Sequence, residues 1–229
     1  MASAELVDYY RRRAREYEAI YAKPERQADL QSLKNSLPQR FAGRRVLEIA
    51  CGTGYWTVLV AATAASVVAA DAAEEPMRIA MSKHYGERNV RFELADAYAL
   101  SASLGRFDAA LAVFWWSHIA LGRIGEFLDS LHARLEPGAR VLFMDNLHVS
   151  GSSTAIAERD TEGNTYQLRR LADGSENRVL KNFPTEADLR AALAPYARDI
   201  SYRALEYYWL VEYQLRTKYG IHESRRRHA

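Results

Sequence analysis

The sequence predicts an α/β fold, a mostly parallel sheet with helices on both faces, and three observations carry that expectation. Short apolar, β-capable runs alternate with helix-compatible segments through the middle of the chain, the rhythm of a parallel sheet. The first run, residues 46–49, opens into a turn with glycine at 52 and 54 and then a helix. The second, residues 66–70, ends on the carboxylate of Asp71. Such sheets bind ligands beyond the carboxyl ends of their strands, and Gly54, Asp71, Asp96 and Phe114 all fall at or just past predicted strand ends, which makes one cleft.

Residues 5–21 have helical spacing, with Leu6, Tyr9, Tyr10, Tyr17, Ile20 and Tyr21 recurring among arginines and glutamates. Pro24 interrupts, and a second helix is expected over 25–37, ending before Pro38. Strands are then expected at 45–49, 67–70, 90–94, 107–113 and 140–144, with helices over 57–65, 74–85 and 123–135. From 146 to 181 the rhythm breaks into a small polar stretch, a charged stretch and the turn at Asp173-Gly174, which suggests a hairpin. Thr185 and Asp188 stand in capping-box spacing at the head of a helix that stops before Pro195, and residues 201–213 supply the last strands. No internal repeat or low-complexity segment is present.

At 229 residues, one domain with a short insertion is expected. Lysine and arginine total 31 against 29 acidic residues, a net charge of +2 with the signs interspersed, which argues against a nucleic-acid partner. The basic end, Arg225 to Arg227, reads as a solvated tail. A single cysteine, Cys51, precludes an intramolecular disulfide and a multi-cysteine metal site and fits a reducing cytoplasm. The first fifteen residues are polar, so neither a signal peptide nor a membrane span is expected there, and no metal-ligand constellation is apparent.

Glycine at 52 and 54 lets the backbone take positive φ and lets a ligand approach without meeting a Cβ, while free N–H groups at the helix start favour an anionic group. Asp71 could accept hydrogen bonds from both ribose hydroxyls, which on its own suits NAD as well as other nucleotides. Beyond this, the pattern Glu48-x-Ala50-x-Gly52-x-Gly54 resembles motif I of class I S-adenosyl-L-methionine (SAM) methyltransferases. Asp71 is similar to that family's ribose acid, Asp96-Ala97 to its adenine-contacting pair, residues 107–113 to its fourth strand and 135–143 to the turn into its fifth. Ala50 departs from the usual glycine, a mild change if its φ stays negative.

The resemblance implies a Rossmann-like, mostly parallel seven-stranded sheet with antiparallel last strands and an N-terminal helical lid. It divides the chain into lid (1–40), SAM-binding core (41–145), substrate-side hairpin (146–183), C-terminal helix and strands (184–215) and tail (216–229). It also implies cofactor contacts from Tyr10, Tyr17, Ala50, Gly52, Tyr55, Trp56, Asp71, Ala72, Met77, Asp96, Ala97 and Phe114, with S-adenosyl-L-homocysteine (SAH) as product and no metal. Tyr10 and Tyr17 read equally well as ligand contacts or as core packing, whereas Tyr9 reads as packing.

Methyl transfer from a sulfonium is an in-line displacement, so the enzyme must align a nucleophile and manage its proton and charge. The segment after strand four, Phe114-Trp115-Trp116-Ser117-His118-Ile119, lacks the Asn/Asp-Pro-Pro-aromatic motif of nucleic-acid amino methyltransferases. Aromatic faces there suit a methyl cation, and His118 is the candidate catalytic base or substrate contact. Arg169, Arg170, Arg178 and Lys181 bracket the hairpin turn and could together hold an anion. Residues 9–17, 52–57 and 169–181 resemble the phosphonate O-methyltransferases of dehydrophos biosynthesis, which implies substrate contacts from the hairpin as well as from Tyr21, Trp115 and His118. The expected activity is methylation of an acidic small molecule on oxygen, by a cytoplasmic monomer or homodimer without a membrane partner. N-methylation of an amine, and SAM binding without transfer, are the alternatives.

Overall fold

A computed structural model describes residues 3–86 and 89–217, and its organising layer is a seven-stranded sheet. The strands are β1 (Arg45–Ile49), β2 (Ser66–Asp71), β3 (Val90–Leu94), β4 (Phe107–Val113), β5 (Leu135–Asn146), β6 (Glu158–Arg159), β7 (Thr165–Arg170), β8 (Glu176–Leu180), β9 (Ala197–Ala204) and β10 (Tyr208–Leu215). The large sheet runs β3-β2-β1-β4-β5-β10-β9, and β6-β7-β8 form a separate three-stranded sheet. β1 to β5 pair in parallel, and β10 is antiparallel to both β5 and β9. The order reverses between β1 and β4, and the cleft opens at their carboxyl ends.

Alternation along the central strands sorts apolar side chains onto two cores. Leu47, Ile49, Ala110, Phe143 and Val211 face one side with Phe127 and Leu131 of helix α5 (Ile124–His132) and Leu189 of α6 (Glu186–Leu193). Val46, Val67, Leu111, Leu142 and Leu210 face the other with Leu30, Leu33 and Leu37 of α2 (Gln27–Arg40) and Val60 of α3 (Tyr55–Ala61). Both faces are covered, as a parallel sheet requires.

The N-terminal segment departs from its expected form. The α-helical spacing read over 5–21 holds only through α1 (Ala4–Arg13); Ala14–Ala22 winds as a 3-10 helix. At three residues per turn, Ala14 and Tyr17 share one row and Glu18 and Tyr21 the next. The first row faces the cleft, while the second meets the glycine turn and α3, where Glu18 accepts from Thr53 at 2.7 Å and from Lys83. Arg11 clamps Glu75 on α4 (Glu74–Met81) with two bonds of 2.9 Å, and Arg12 donates to Ser175 and Asn177 of the hairpin.

Other differences have local causes. α2 continues through Pro38 to Arg40, because a proline in the last turn gives up one hydrogen bond while its own carbonyl is used by Phe41 N–H and Thr63 Oγ1. α3, α4 and α5 are shorter than predicted, α4 stopping at Met81, and β5 starts at Leu135, with Gly138 at φ +79° inside an irregular register against β4. Ala50 sits at φ +55°, not the negative value expected, since the chain must turn abruptly at the strand end. For an alanine that geometry costs about 1–2 kcal/mol. The capping box at Thr185 and Asp188 is present, and the hairpin forms as β7 and β8. Among the described residues no helix is long and apolar enough to cross a membrane. The tail at Arg225 to Arg227 lies outside the described residues.

Gly54, at φ +75°, is where the turn is tightest: a Cβ there would lie 2.7 Å from Tyr85 Oη and 2.8 Å from Ala80 Cβ. Gly54→Ala is expected to lower stability by about 2–4 kcal/mol through left-handed strain and overpacking, read as a lower urea midpoint with unchanged slope.

Candidate functional site

Asp71 organises the glycine turn. Its carboxylate accepts from Gly52 N–H at 2.8 Å and Ala73 N–H at 2.8 Å, and Cys51 N–H donates to Ala70 O at 3.0 Å, so the turn is held against the end of β2. Burial raises the Asp71 pKa, and the backbone donors work against that rise. Beneath the turn Glu48 is buried, and burial lifts its pKa to about 8, which leaves it uncharged at neutral pH.

A largely apolar cleft lies over these strand ends. Of the predicted cofactor residues Tyr10, Tyr17, Ala50, Gly52, Asp71, Ala72, Ala97 and Phe114 line it, and so do Trp115 and His118. Ala50 and Phe114, at the ends of neighbouring strands β1 and β4, both have positive φ, +55° and +58°. Strain concentrated at a cleft is common where a ligand is accommodated. A shape of this kind fits a nucleoside: a carboxylate for ribose at one end, apolar walls for the base, and a Gly52 whose missing Cβ leaves open space.

Tyr55, Trp56, Met77 and Asp96 do not line that cleft, and Tyr21 lines neither cleft. The 3-10 winding turns Tyr21 inward, where its ring stacks on Tyr55 at 3.7 Å and its hydroxyl accepts from Trp56 Nε1 at 3.0 Å. Asp96 instead accepts from Tyr98 N–H at 3.1 Å, and Met77 is buried on α4.

A second cleft of about 460 Å³ adjoins the first. Tyr10, Tyr17, Phe114 and His118 line both, so they form the partition. His118 is held by a 2.6 Å contact between Nδ1 and Leu180 O. A carbonyl only accepts, so Nδ1 carries the proton and Nε2 accepts from Tyr10 Oη at 2.7 Å. Burial and then the charges of Lys181 and Arg169 push the His118 pKa well below its usual value, so the ring is neutral. Burial raises the Tyr10 and Tyr17 pKa values, which keeps both phenols protonated.

The second cleft is basic. Arg13, Lys23, Arg26, Arg169, Arg170 and Lys181 line it with one carboxylate, Glu16. Pleat alternation on the hairpin decides which of the predicted basic residues meet: Gln167, Arg169, Val179 and Lys181 face inward, while Arg170 stays exposed at the rim. Arg178 is brought elsewhere, because its neighbour across the ladder is the outward Leu168; it pairs with Glu158 at 2.8 Å and lies over Tyr166. The two-residue period was the signal for this difference. Arg169 donates to Gln167 Oε1 at 2.7 Å and bonds the Tyr9 and Tyr10 phenols.

Lys181 is only 4% exposed and donates to Asp145 at 2.9 Å and to Ser117 Oγ at 2.5 Å. Burial brings its pKa down to about 8, and Lys181 with His118 holds the Asp145 pKa below its usual value against burial. Asn182 fastens the hairpin base to the segment after β4: its N–H donates to Ser117 O at 2.7 Å and its amide to Ile119 O at 2.9 Å. Asp145, Ser117, Asn182, Arg13 and Arg26 were not singled out from the sequence. Only Asp145, a charge closing an apolar strand, leaves a legible trace there.

Residues 46–138 match the family model described as a methyltransferase domain. The chain is 36% identical over 104 residues to the demethylmenaquinone methyltransferase of Clavibacter sepedonicus, covering 45% of this chain and 42% of that protein. It is 31% identical over 157 residues to the ubiquinone biosynthesis O-methyltransferase of Caulobacter vibrioides, 67% of this chain and 59% of that one. It therefore spans roughly half the length of these curated relatives. Among solved structures, the DhpI–SAM–HEP complex superposes with a TM-score of 0.74 at 27% identity, over 93% of this chain and 99% of that one. The DhpI–SAH complex gives 0.75 at 25%, over 93% and 98%.

Lys181→Met strands the Asp145 carboxylate in the interior and is expected to cost about 3–5 kcal/mol in urea unfolding. Adding Asp145→Asn should restore most of that loss; a double variant as unstable as the single one would refute the ion pair as the cause.

Proposed function

We propose that this chain, which belongs to the class I SAM-dependent methyltransferases, transfers the sulfonium methyl of SAM to an oxygen of a small acidic metabolite. The observation that carries the reading is the meeting of an apolar, Asp71-ended cleft and a basic cleft at one partition, Tyr10, Tyr17, Phe114 and His118. The O-methyltransferase names among the relatives support oxygen as the acceptor atom.

SAM supplies an electrophilic methyl, and in the displacement an O–CH₃ bond forms as the S–CH₃ bond breaks. Asp71 and the Gly52 turn hold the nucleoside; Tyr17 and Phe114 flank the partition. Arg169 and Arg13 attract the acid, and an oxygen already ionised needs no base. His118, neutral and presenting Nε2 as an acceptor, orients the acceptor molecule or the Tyr10 hydroxyl beside it. Apolar walls exclude water, which strengthens each of these attractions.

Titration calorimetry with SAM and SAH tests the cofactor half: wild type binds both, and Asp71→Ala weakens binding about 10–100-fold, the worth of one lost charge-assisted hydrogen bond network. Absence of SAM and SAH binding by the wild type would overturn the reading. The acid half has a pH signature. Lys181 is charged below about pH 8 and neutral above it, so its attraction for an anion is present on the acid side and lost as pH rises through about 8. KM for an acidic acceptor is expected to climb across that range and to stay flat near pH 6.5, where His118 is already neutral. A KM that falls above pH 8 would favour an amine acceptor.

A further inference from the structure

We infer that the acceptor carries two anionic groups, the second seated on Arg26 in the same basic cleft that holds Arg169. This rests on the acidic-acceptor reading and extends it. Arg26 is 6% exposed and lines the cleft, yet among the described residues no carboxylate lies within ion-pair distance of it. Its donors go to neutral oxygens, Nε to Ser152 Oγ at 3.0 Å and Nη1 to Asn146 Oδ1 at 3.0 Å, and its guanidinium lies over the Tyr207 and Tyr208 rings. The nearby acids reach Arg26 only indirectly: Glu25 accepts at 2.8 Å from the same Ser152 hydroxyl to which Arg26 donates, and Asp29 accepts from Tyr207 N–H at 2.8 Å, so neither carboxylate meets the guanidinium itself.

Arginines at the surface of this protein do find carboxylates, as Arg11 does with Glu75 and Arg178 with Glu158. Lys181, buried in the same cleft, has Asp145. Arg26, buried, and Arg169, half-buried, are instead in direct contact with neutral partners, an arrangement that an anion entering the cleft would complete. Their partners do not overlap: Asn146, Ser152 and Tyr207 for one, Gln167, Tyr9 and Tyr10 for the other. Two seats built from separate sets of partners suit one acid group on each. Lys23, whose Nζ donates to Ser152 O at 2.5 Å, adds charge beside the Arg26 seat.

The test is calorimetric binding at saturating SAH of matched probes: propylphosphonate against 3-phosphonopropionate, and butylphosphonate against 4-phosphonobutyrate. The wild type is expected to bind a diacid about tenfold or more tighter than its monoacid, and Arg26→Gln to shrink that ratio to about twofold or less. Lys23→Gln, a change outside the core, should shrink the same ratio about threefold, which decides the matter if the Arg26 variant no longer binds SAH and has not folded. Equal binding of monoacid and diacid at both lengths, or a ratio that survives in an Arg26→Gln protein that still binds SAH, overturns the second seat alone. If SAH binds and no acid does, the acidic-acceptor reading falls and this inference with it.

Discussion

The buried pair between Lys181 and Asp145 is the contact on which the site depends. Asp145 lies near the end of β5 and Lys181 just past β8, so the bond joins the parallel sheet to the hairpin. Ser117 stands between them, giving its N–H to Asp145 and its hydroxyl to Lys181, and so brings the segment after β4 into the same network. Neither charge is affordable alone in that interior. Together they set the distance between the basic face of the hairpin and the carboxyl edge of the sheet, and through Leu180 they set the ring of His118.

Electrostatics then divide the molecule's two clefts by sign and by dryness. On one side burial suppresses charge: Glu48 is neutral and His118 unprotonated, while Tyr10 and Tyr17 keep their protons. Across the partition the lining is cationic: Arg26 and Arg169 are supported by amides and phenols, and the buried Lys181 by the Asp145 carboxylate. A cationic donor and an anionic acceptor approaching from opposite sides would cancel charge at the partition itself, where no bulk water competes.

Much of this was legible in the sequence. The strands at residues 45–49, 90–94 and 107–113 match the predicted bounds, because local alternation and turn residues specify them without help from distant contacts. The glycine turn, Asp71 and Phe114 fall at strand ends for the same reason. What escaped depends on long-range geometry. Arg178 and Arg169 look equivalent in a basic run, yet the pleat separates them. Arg26 reads as a helix-flanking charge until Asn146 and Tyr207, more than a hundred residues away, close around it. The negative φ expected of Ala50 was a rule about residue type that the abrupt turn overrode.

The 3-10 winding of Ala14–Ala22 carries a consequence for how the chain can vary in length. With three residues per turn, one inserted residue rotates everything beyond it by a third of a revolution. Tyr21 would leave its stack on Tyr55, and Glu18 would leave Thr53 and Lys83. An added or deleted triplet restores the facing and changes only the reach. Homologous segments at this place should therefore differ in length by multiples of three, a spacing rule that alignment by residue similarity alone would pass over.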